Sequence, residues 1–167
     1  MIVSATALCM SAYMIGLPNP EYICEHTTTV KELSEDYGIQ PEIIMSLVYH
    51  ESRWNPKAKS RAGACGLTQV IPKWVKEPRV SCQQLMKDPK LSLRTGVKML
   101  NRVLRPSRYA NGNMSVALCM YNAGPQKCRS KNIQRRGSGY SRKVLKTAGN
   151  LRKKMIEYYE EFGPDDE

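Results

Sequence analysis

Apolar residues recur at helical spacing along much of this chain, and one stretch places a carboxylate among them. In residues 43–54 the apolar positions that share one helical face are Ile43, Ile44, Leu47 and Val48. Glu51 continues that face, because it follows Leu47 by four positions and Val48 by three. Pro41 suits the first turn of a helix. The pattern therefore predicts a helix that begins near Pro41 and carries Glu51 at its inner end.

The same spacing predicts further helices joined by short connections. An apolar side and a capping box of Thr29 and Glu32 indicate a helix that ends at Gly38. Helical spacing recurs in residues 91–104, 115–121 and 144–159, and a helix start is predicted at residues 72–75. Turn-forming residues indicate loops at residues 18–28 and 55–71, the latter with at most a small hairpin, and a break at residues 137–140. The sequence predicts about six helices and very little strand.

Length and composition predict one domain with a short extension at each end. The 167 residues contain no Gly/Ser-rich or proline-rich linker. We place the domain at residues 28–152, an apolar arm at residues 1–27, and the end of the last helix with an acidic tail at residues 153–167. Residues 1–17 carry no charged side chain, which is compatible with an export signal, a short membrane anchor, a packed helix or a partner-binding arm.

Positive charge is concentrated in the middle of the chain. The formal net charge is +11, and 25 of the 26 Lys and Arg residues lie between positions 53 and 154. The acids in that interval are Glu77 and Asp88. Such a body attracts polyanions, whether nucleic acid, a phosphate-rich wall polymer or an anionic membrane surface, or it serves solubility. Because the charges lack interleaved aromatic residues, we expect no nucleic-acid partner.

The cysteines and histidines form no zinc-binding pattern, so we expect no metal. Six cysteines lie at positions 9, 24, 65, 82, 119 and 128. A disulfide between Cys119 and Cys128, or between Cys65 and Cys82, would close a short loop, and buried free thiols are the alternative.

The position of Glu51 allows two interpretations. Burial removes water from the charged form of a carboxyl, which raises its pKa and suits a general acid near neutral pH. In the other interpretation Glu51 ends the helix and reaches water, or pairs with Arg53 or another cation.

Short motifs favour the catalytic interpretation. HESRW at residues 50–54, GLTQV at residues 66–70 and MYNAG at residues 120–124 are followed by Tyr140 and Val144. In this order and spacing they resemble the catalytic domain of soluble lytic transglycosylases, the goose-type-lysozyme-like enzymes that cleave murein. The resemblance covers residues 28–152. It implies a mainly α, lysozyme-like (α+β) fold with a glycan groove between two lobes.

The resemblance also implies roles for individual residues. Glu51 matches the sole catalytic acid, and Ser52 matches the residue that orients that acid or the substrate. Tyr140 matches a tyrosine near the catalytic glutamate, and the remaining substrate-binding positions are Gly66, Leu67, Gln69, Tyr121 and Asn122. Thr68 and Met120 depart from the family's usual methionine and alanine, which affects the fit of sugar subsites more than the chemistry.

The scarcity of acids agrees with a one-carboxylate mechanism. Glycosidases ordinarily use two carboxylates, but Glu77 and Asp88 each precede a proline in a predicted surface turn. The resemblance implies that the glutamic acid protonates the leaving oxygen and that the substrate's N-acetyl group shelters the cationic centre. The resulting carboxylate then deprotonates the 6-hydroxyl, which gives a 1,6-anhydromuramoyl end. No cofactor is expected.

The predicted partner is the glycan strand of peptidoglycan, and the predicted location is the cell envelope, the periplasm or the extracellular space. Residues 1–27 are candidates for contact with a phage virion or an envelope-spanning complex, and residues 1–17 for membrane contact. The alternatives are a muramidase-type hydrolase that uses Asp88 or Glu77, a non-catalytic glycan-binding module, and a nucleic-acid-binding protein.

Overall fold

Helices make up nearly all of the regular structure in a computed structural model that describes residues 3–76, 79–105 and 110–163. The helices are α1 (Ala5–Met14), α2 (Pro20–Cys24), α3 (Thr27–Tyr37), α4 (Pro41–Ser52), α5 (Cys82–Lys87), α6 (Pro89–Leu104), α7 (Met114–Ala123), α8 (Lys131–Arg136) and α9 (Gly139–Phe162), with 3-10 turns at Pro72–Trp74 and Pro125–Cys128. The predicted mainly α fold is confirmed. The helices outnumber the predicted six because short helices such as α2, α5 and α8 carry too few residues to show a periodic pattern.

Helix α4 is the central element of the fold. Residues 41–48 are all buried, so α4 is surrounded by the protein, whereas the sequence predicted a single buried face. Helices α3 and α9 pack against it. The hydroxyl of Ser46 donates to the carbonyl of Val144 at 2.6 Å, and Nε2 of His50 lies 2.9 Å from the hydroxyl of Thr147. These contacts hold the C-terminal half of α4 against α9.

The buried side chains form one large and one small hydrophobic cluster. The large cluster contains the interior residues of α1, α3, α4, α6, α7 and α9. The small cluster is built on Cys65, Val70 and Leu85, next to antiparallel bridges that pair Cys65 with Lys59 and with Val70. Tyr121 packs against both clusters. Tyr121 therefore lies where the two hydrophobic clusters meet.

Three disulfides connect neighbouring elements of the described structure: α1 with α2, the loop of the small cluster with α5, and α7 with the 3-10 turn that follows it. The structure contains Cys9–Cys24, Cys65–Cys82 and Cys119–Cys128, with sequence separations of 15, 17 and 9. The last two are the pairs that the sequence analysis considered beside free thiols. All six cysteines are paired, so the alternative of free thiols was wrong. A loop of this length contributes about 3 kcal/mol of stability when it is closed by a disulfide.

The N-terminal segment packs into the domain. Ala7, Leu8 and Ala12 of α1 are fully buried, and α1 contacts α2, α3 and α9. The backbone N–H of Ser4 donates to the hydroxyl of Tyr159 in α9 at 2.7 Å. Of the structures proposed for residues 1–17, the structure therefore contains the packed helix. Within the described residues, no helix has the length and apolar character needed to cross a bilayer.

Several predicted boundaries were wrong. The predicted loop at residues 18–28 contains α2, because Pro20 is preorganised for the first turn of a helix. Helix α3 begins at Thr27 rather than at a capping box on Thr29. Helix α9 begins at Gly139, before residue 144, because Oγ of Ser138 accepts the N–H of Ser141 at 3.0 Å. The predicted helix start at residues 72–75 is a single 3-10 turn.

Two features of the sequence lie outside the described residues. They are Glu77 and the four residues of the acidic tail at positions 164–167.

Candidate active site

The carboxyl of Glu51 lies at the C-terminal end of α4, where α9 crosses it. The hydroxyl of Tyr140, from the first turn of α9, donates a short hydrogen bond to Oε1 of Glu51. Burial raises the pKa of Glu51 from 4.5 to about 7, and the hydrogen bond from Tyr140 opposes this rise. Both protonation states of Glu51 are therefore populated near neutral pH. A group with this pKa can both give and take a proton.

A strained turn follows Glu51 directly. Arg53 and Trp54 both have left-handed backbones, with φ of +53° and +60°. Such conformations cost about 1 to 3 kcal/mol each in residues other than glycine, and they concentrate at functional sites. The Trp54 side chain is 0% exposed, and its burial in the main core holds this turn in place.

Tyr121 from α7 approaches the same carboxyl without sharing a hydrogen bond with it. Its hydroxyl donates to the backbone carbonyl of Thr68 at 2.7 Å. Burial is the main cause of a raised pKa in Tyr121 and in Tyr140, and the negative charge of Glu51 raises both pKa values further. Both phenols are therefore protonated in the neutral pH range in which Glu51 ionises.

The GLTQ segment lies against α5 and α6. Gly66 has φ of +74°, and a Cβ there would overlap the carbonyl oxygen of Leu85 and lie 2.7 Å from Oγ of Ser92. Leu67 was predicted to line the groove, but its side chain is fully buried in the main core, because an apolar side chain gains free energy by leaving water. Gly66 and Leu67 therefore position the loop.

Gln69 has only part of its amide free for a ligand. Its Nε2 donates to the carbonyls of Ala58 and Gly66, both at 3.0 Å. The backbone of Gln69 is left-handed, with φ of +47°. The donors of the side chain are thus used to close the loop, and its carbonyl oxygen is the atom that can accept a hydrogen bond from a sugar.

Ser52 and Asn122 are not brought into hydrogen-bond contact with Glu51 in the described part of the chain. The hydroxyl of Ser52 donates to the carbonyl of Val48 at 3.2 Å, which is a bond within α4. Asn122 is exposed in the last turn of α7. The side chain that contacts and orients Glu51 is Tyr140, whereas the sequence predicted that Ser52 orients either the acid or the substrate.

The two departures from the family pattern lie in the interior. Thr68 is 0% exposed and Met120 is 4% exposed. Neither side chain lies at the surface, so these substitutions change the packing beneath the loop. Sequence reasoning also missed Ser92 and Gly96 of α6, which contact Thr68. The feature of the sequence that could have indicated them is a serine and a glycine on the apolar face of α6.

A groove of about 500 Å³ lies at the opposite end of α4 and is distinct from this site. Its lining includes Lys31, Glu42 and Arg152. Glu42 and Glu51 are nine positions apart in α4, which corresponds to about 13 Å along the helix axis. In the described segments there is no group of three or more His, Cys, Asp or Glu side chains suited to hold a metal ion.

A mainly helical domain in which a half-buried glutamate accepts a hydrogen bond from a tyrosine, beside a GLTQ loop, is the arrangement expected of a glycan-cleaving enzyme with a lysozyme-like fold. The family described as the Transglycosylase SLT domain matches residues 28–144. The chain therefore belongs to the SLT-domain transglycosylases.

Known proteins similar to this chain fall into bacterial and phage groups. The soluble lytic murein transglycosylase of Escherichia coli K12 is 32% identical over 110 residues, which are 62% of this chain and 16% of that protein. The transglycosylase of Enterobacteria phage PRD1 is 30% identical over 123 residues, which are 74% of this chain and 43% of that protein. The chain thus spans a minor part of these relatives' length.

Solved structures show the same fold. The lytic transglycosylase Slt of Pseudomonas aeruginosa aligns with a TM-score of 0.60 at 22% identity, over 96% of this chain and 31% of that one. The 70 kDa soluble lytic transglycosylase of Escherichia coli aligns with a TM-score of 0.57 at 24% identity, over 83% of this chain and 24% of that one.

Proposed function

We propose that this chain is a peptidoglycan lytic transglycosylase with Glu51 as its sole general acid and base. The bond cleaved is the β-1,4 linkage between N-acetylmuramic acid and N-acetylglucosamine. The observation that carries the proposal is the half-buried carboxyl of Glu51, which has a pKa of about 7 and a hydrogen bond from Tyr140. The family match supports the substrate class.

In the first step Glu51 acts as an acid. The hydrogen bond from Tyr140 occupies Oε1, so Oε2 is the oxygen that presents a proton to the glycosidic oxygen. The bond between C1 of the muramoyl sugar and this oxygen breaks, and the bonding electrons leave with the oxygen, which receives the proton of Glu51. The carbonyl oxygen of the substrate's N-acetyl group stabilises the cationic C1.

In the second step Glu51 acts as a base. Its carboxylate takes the proton of the muramoyl 6-hydroxyl, and O6 forms a bond to C1. The product has a 1,6-anhydro end, the proton is back on Glu51, and no water has been consumed. A pKa near neutrality suits both steps, because each requires a different protonation state of the same carboxyl.

The substrate contacts follow from the hydrogen-bond groups that the loop leaves open. Gln69 offers its side-chain carbonyl oxygen, and Ser52 and Asn122 offer a hydroxyl oxygen and an exposed amide. Gly66 and Leu67 act by holding the backbone of the loop. We assign sugar binding to these side chains and to the hydroxyl oxygen of Tyr121.

The hydrolase alternative depends on a second carboxylate, and Asp88 is the candidate within the described residues. Its Oδ1 accepts the N–H of Leu91 at 2.9 Å, so it caps α6. Because asparagine caps a helix equally well, Asp88→Asn is expected to leave the release of soluble muropeptides from purified sacculi within about twofold of the wild type. A hundredfold loss in a folded Asp88→Asn protein would instead support hydrolysis with Asp88 as the base.

The activity is expected to fall as the pH rises above about 7, because the first step needs a protonated Glu51 and its pKa is about 7. Tyr140→Phe removes a hydrogen bond that favours the charged carboxylate, so the pKa should rise further and the alkaline limb should move to higher pH. The measurement is kcat against pH on purified glycan strands. A limb that stays in place or moves to lower pH in Tyr140→Phe would contradict the proposed role of this bond.

We propose that the enzyme opens the wall locally for a phage or an envelope-spanning assembly, at the cell envelope, in the periplasm or outside the cell. The similar phage transglycosylase supports this setting, and the net charge of +11 favours adhesion to an anionic envelope. Partner contact is assigned to the outer side of α1, which exposes Met10, Tyr13 and Met14. A glycan-binding module without activity would bind sacculi and release nothing.

A further inference from the structure

Thr68 makes a hydrogen bond through each of its polar groups although its side chain is completely buried. Its Oγ1 donates to the backbone carbonyl of Ser92 at 2.8 Å, and its backbone N–H lies 3.4 Å from Oγ of Ser92. Its backbone carbonyl accepts the hydroxyl of Tyr121 at 2.7 Å. Thr68 therefore connects α6 to α7 through the GLTQ loop.

The surface of α6 is shaped to receive this threonine. Gly96 lies one turn after Ser92, and a Cβ at position 96 would overlap the side chain of Thr68. The glycine allows the loop to approach the helix closely enough for the bond between Thr68 and Ser92. Both Ser92 and Thr68 are 0% exposed, so their polar groups depend on one another for hydrogen bonds.

The hydrogen bond from Tyr121 to the Thr68 carbonyl limits the hydrogen bonds that Tyr121 can make beside Glu51. A phenol has one proton to donate, and Tyr121 donates it to the Thr68 carbonyl. Its oxygen can then only accept a hydrogen bond on the side of the active site. The titratable side chains that interact with Glu51 in the described structure are Tyr140 from α9 and Tyr121 from α7, and Tyr140 is the one that donates to the carboxyl.

We propose that Thr68 is a positioning residue for the reaction proposed above: seated on α6 by Ser92 and Gly96, it holds the hydroxyl proton of Tyr121 away from Glu51. If the loop shifts, Tyr121 is free to donate to the carboxylate as Tyr140 does. A second donated hydrogen bond stabilises the charged form, so fewer molecules carry the proton that the first step needs. This inference rests on the proposed function only for its effect on turnover.

The test compares Thr68→Val with Thr68→Ser and with Thr95→Val. Valine keeps the shape of threonine but cannot donate to Ser92, whereas serine keeps the donor. Thr95 is the matched control, because its buried hydroxyl donates to the carbonyl of Leu91 at 2.7 Å within α6. Thr68→Val should shift the alkaline limb of kcat to lower pH by about half to one unit, which is a threefold to tenfold loss of turnover at pH 8. Thr68→Ser and Thr95→Val should keep the wild-type limb.

If the alkaline limb of kcat in Thr68→Val stays at the wild-type pH, the proposal is wrong, whether or not the variant is less stable. A second measurement follows the Glu51 carboxyl by ¹³C NMR during a pH titration, in the same proteins and in a Tyr121→Phe background. The downward shift caused by Thr68→Val should vanish when Tyr121 is phenylalanine, because the two effects share one hydrogen bond. A chain without turnover whose Glu51 still shows these shifts would contradict the proposed function and leave the role of Thr68 standing. Equal shifts in both backgrounds would contradict that role.

Discussion

Glu51→Gln is expected to lower the release of muropeptides from purified sacculi by about 10²- to 10⁴-fold, the contribution of a positioned general acid. Glutamine has the size of glutamate and can accept the hydrogen bond from Tyr140, but it has no proton to give to the glycosidic oxygen. The initial rate of soluble product release measures the effect. Activity above a tenth of the wild-type rate would assign the proton transfer to another group.

A stability measurement separates this loss from misfolding. Burial disfavours the ionised form of Glu51 and therefore raises its pKa in the folded protein from the ordinary value of 4.5 to about 7. The wild type therefore loses stability as the pH rises from about 4.5 through 7, and a neutral glutamine avoids that loss. Above pH 7, Glu51→Gln should be more stable than the wild type by about 1 to 3 kcal/mol, and the two should be equal at pH 4. A less stable variant at pH 8 would point to a structural role.

Gly66→Ala is expected to destabilise the domain by about 2 to 4 kcal/mol and to lower turnover at least tenfold. The backbone at Gly66 is left-handed, with φ of +74°, and a Cβ would overlap the carbonyl oxygen of Leu85, which belongs to the backbone of α5. The loop must then move away from α5 and α6. That movement displaces Thr68 and Gln69, and with them the acceptor of the Tyr121 hydroxyl. Thermal unfolding and sacculus digestion measure the two effects.

Gly63→Ala is the control for backbone strain alone. Gly63 also has a left-handed backbone, with φ of +85°, but a Cβ there would meet no atom within 4 Å. Its replacement should cost about 1 kcal/mol and leave turnover close to that of the wild type. Equal losses in the two variants would show that contact with α5 and α6 does not hold the loop.

The sequence predicted the parts of the fold whose pattern is local. The apolar run before Glu51 predicted α4, and the spacing in residues 91–104 predicted α6. Residues 1–17 are mostly apolar and carry no charged side chain, and such a pattern does not distinguish a packed helix from a membrane anchor. The packing of α1 on α9 depends on residues more than a hundred positions away, such as the contact of Ser4 with Tyr159.

The candidate site was predictable in its residue types and less so in its contacts. Motif order brought Glu51 and Tyr140 together, and the structure joins them by a hydrogen bond. The same motif assigned Leu67 to the groove, although the free energy of burying an apolar side chain turns it into the core. The packing of Thr68 against α6 could not be predicted from the sequence, because the close approach of Thr68 to Gly96 is a tertiary contact.

Product analysis in H₂¹⁸O shows whether Glu51 cleaves glycan strands without consuming water. Purified sacculi are digested by the wild type and by Glu51→Gln, and the soluble muropeptides are examined by mass spectrometry. We expect 1,6-anhydromuramoyl ends without ¹⁸O from the wild type, and no soluble muropeptides from Glu51→Gln. Reducing ends that carry one ¹⁸O atom would contradict this mechanism, because they would show that water attacks C1.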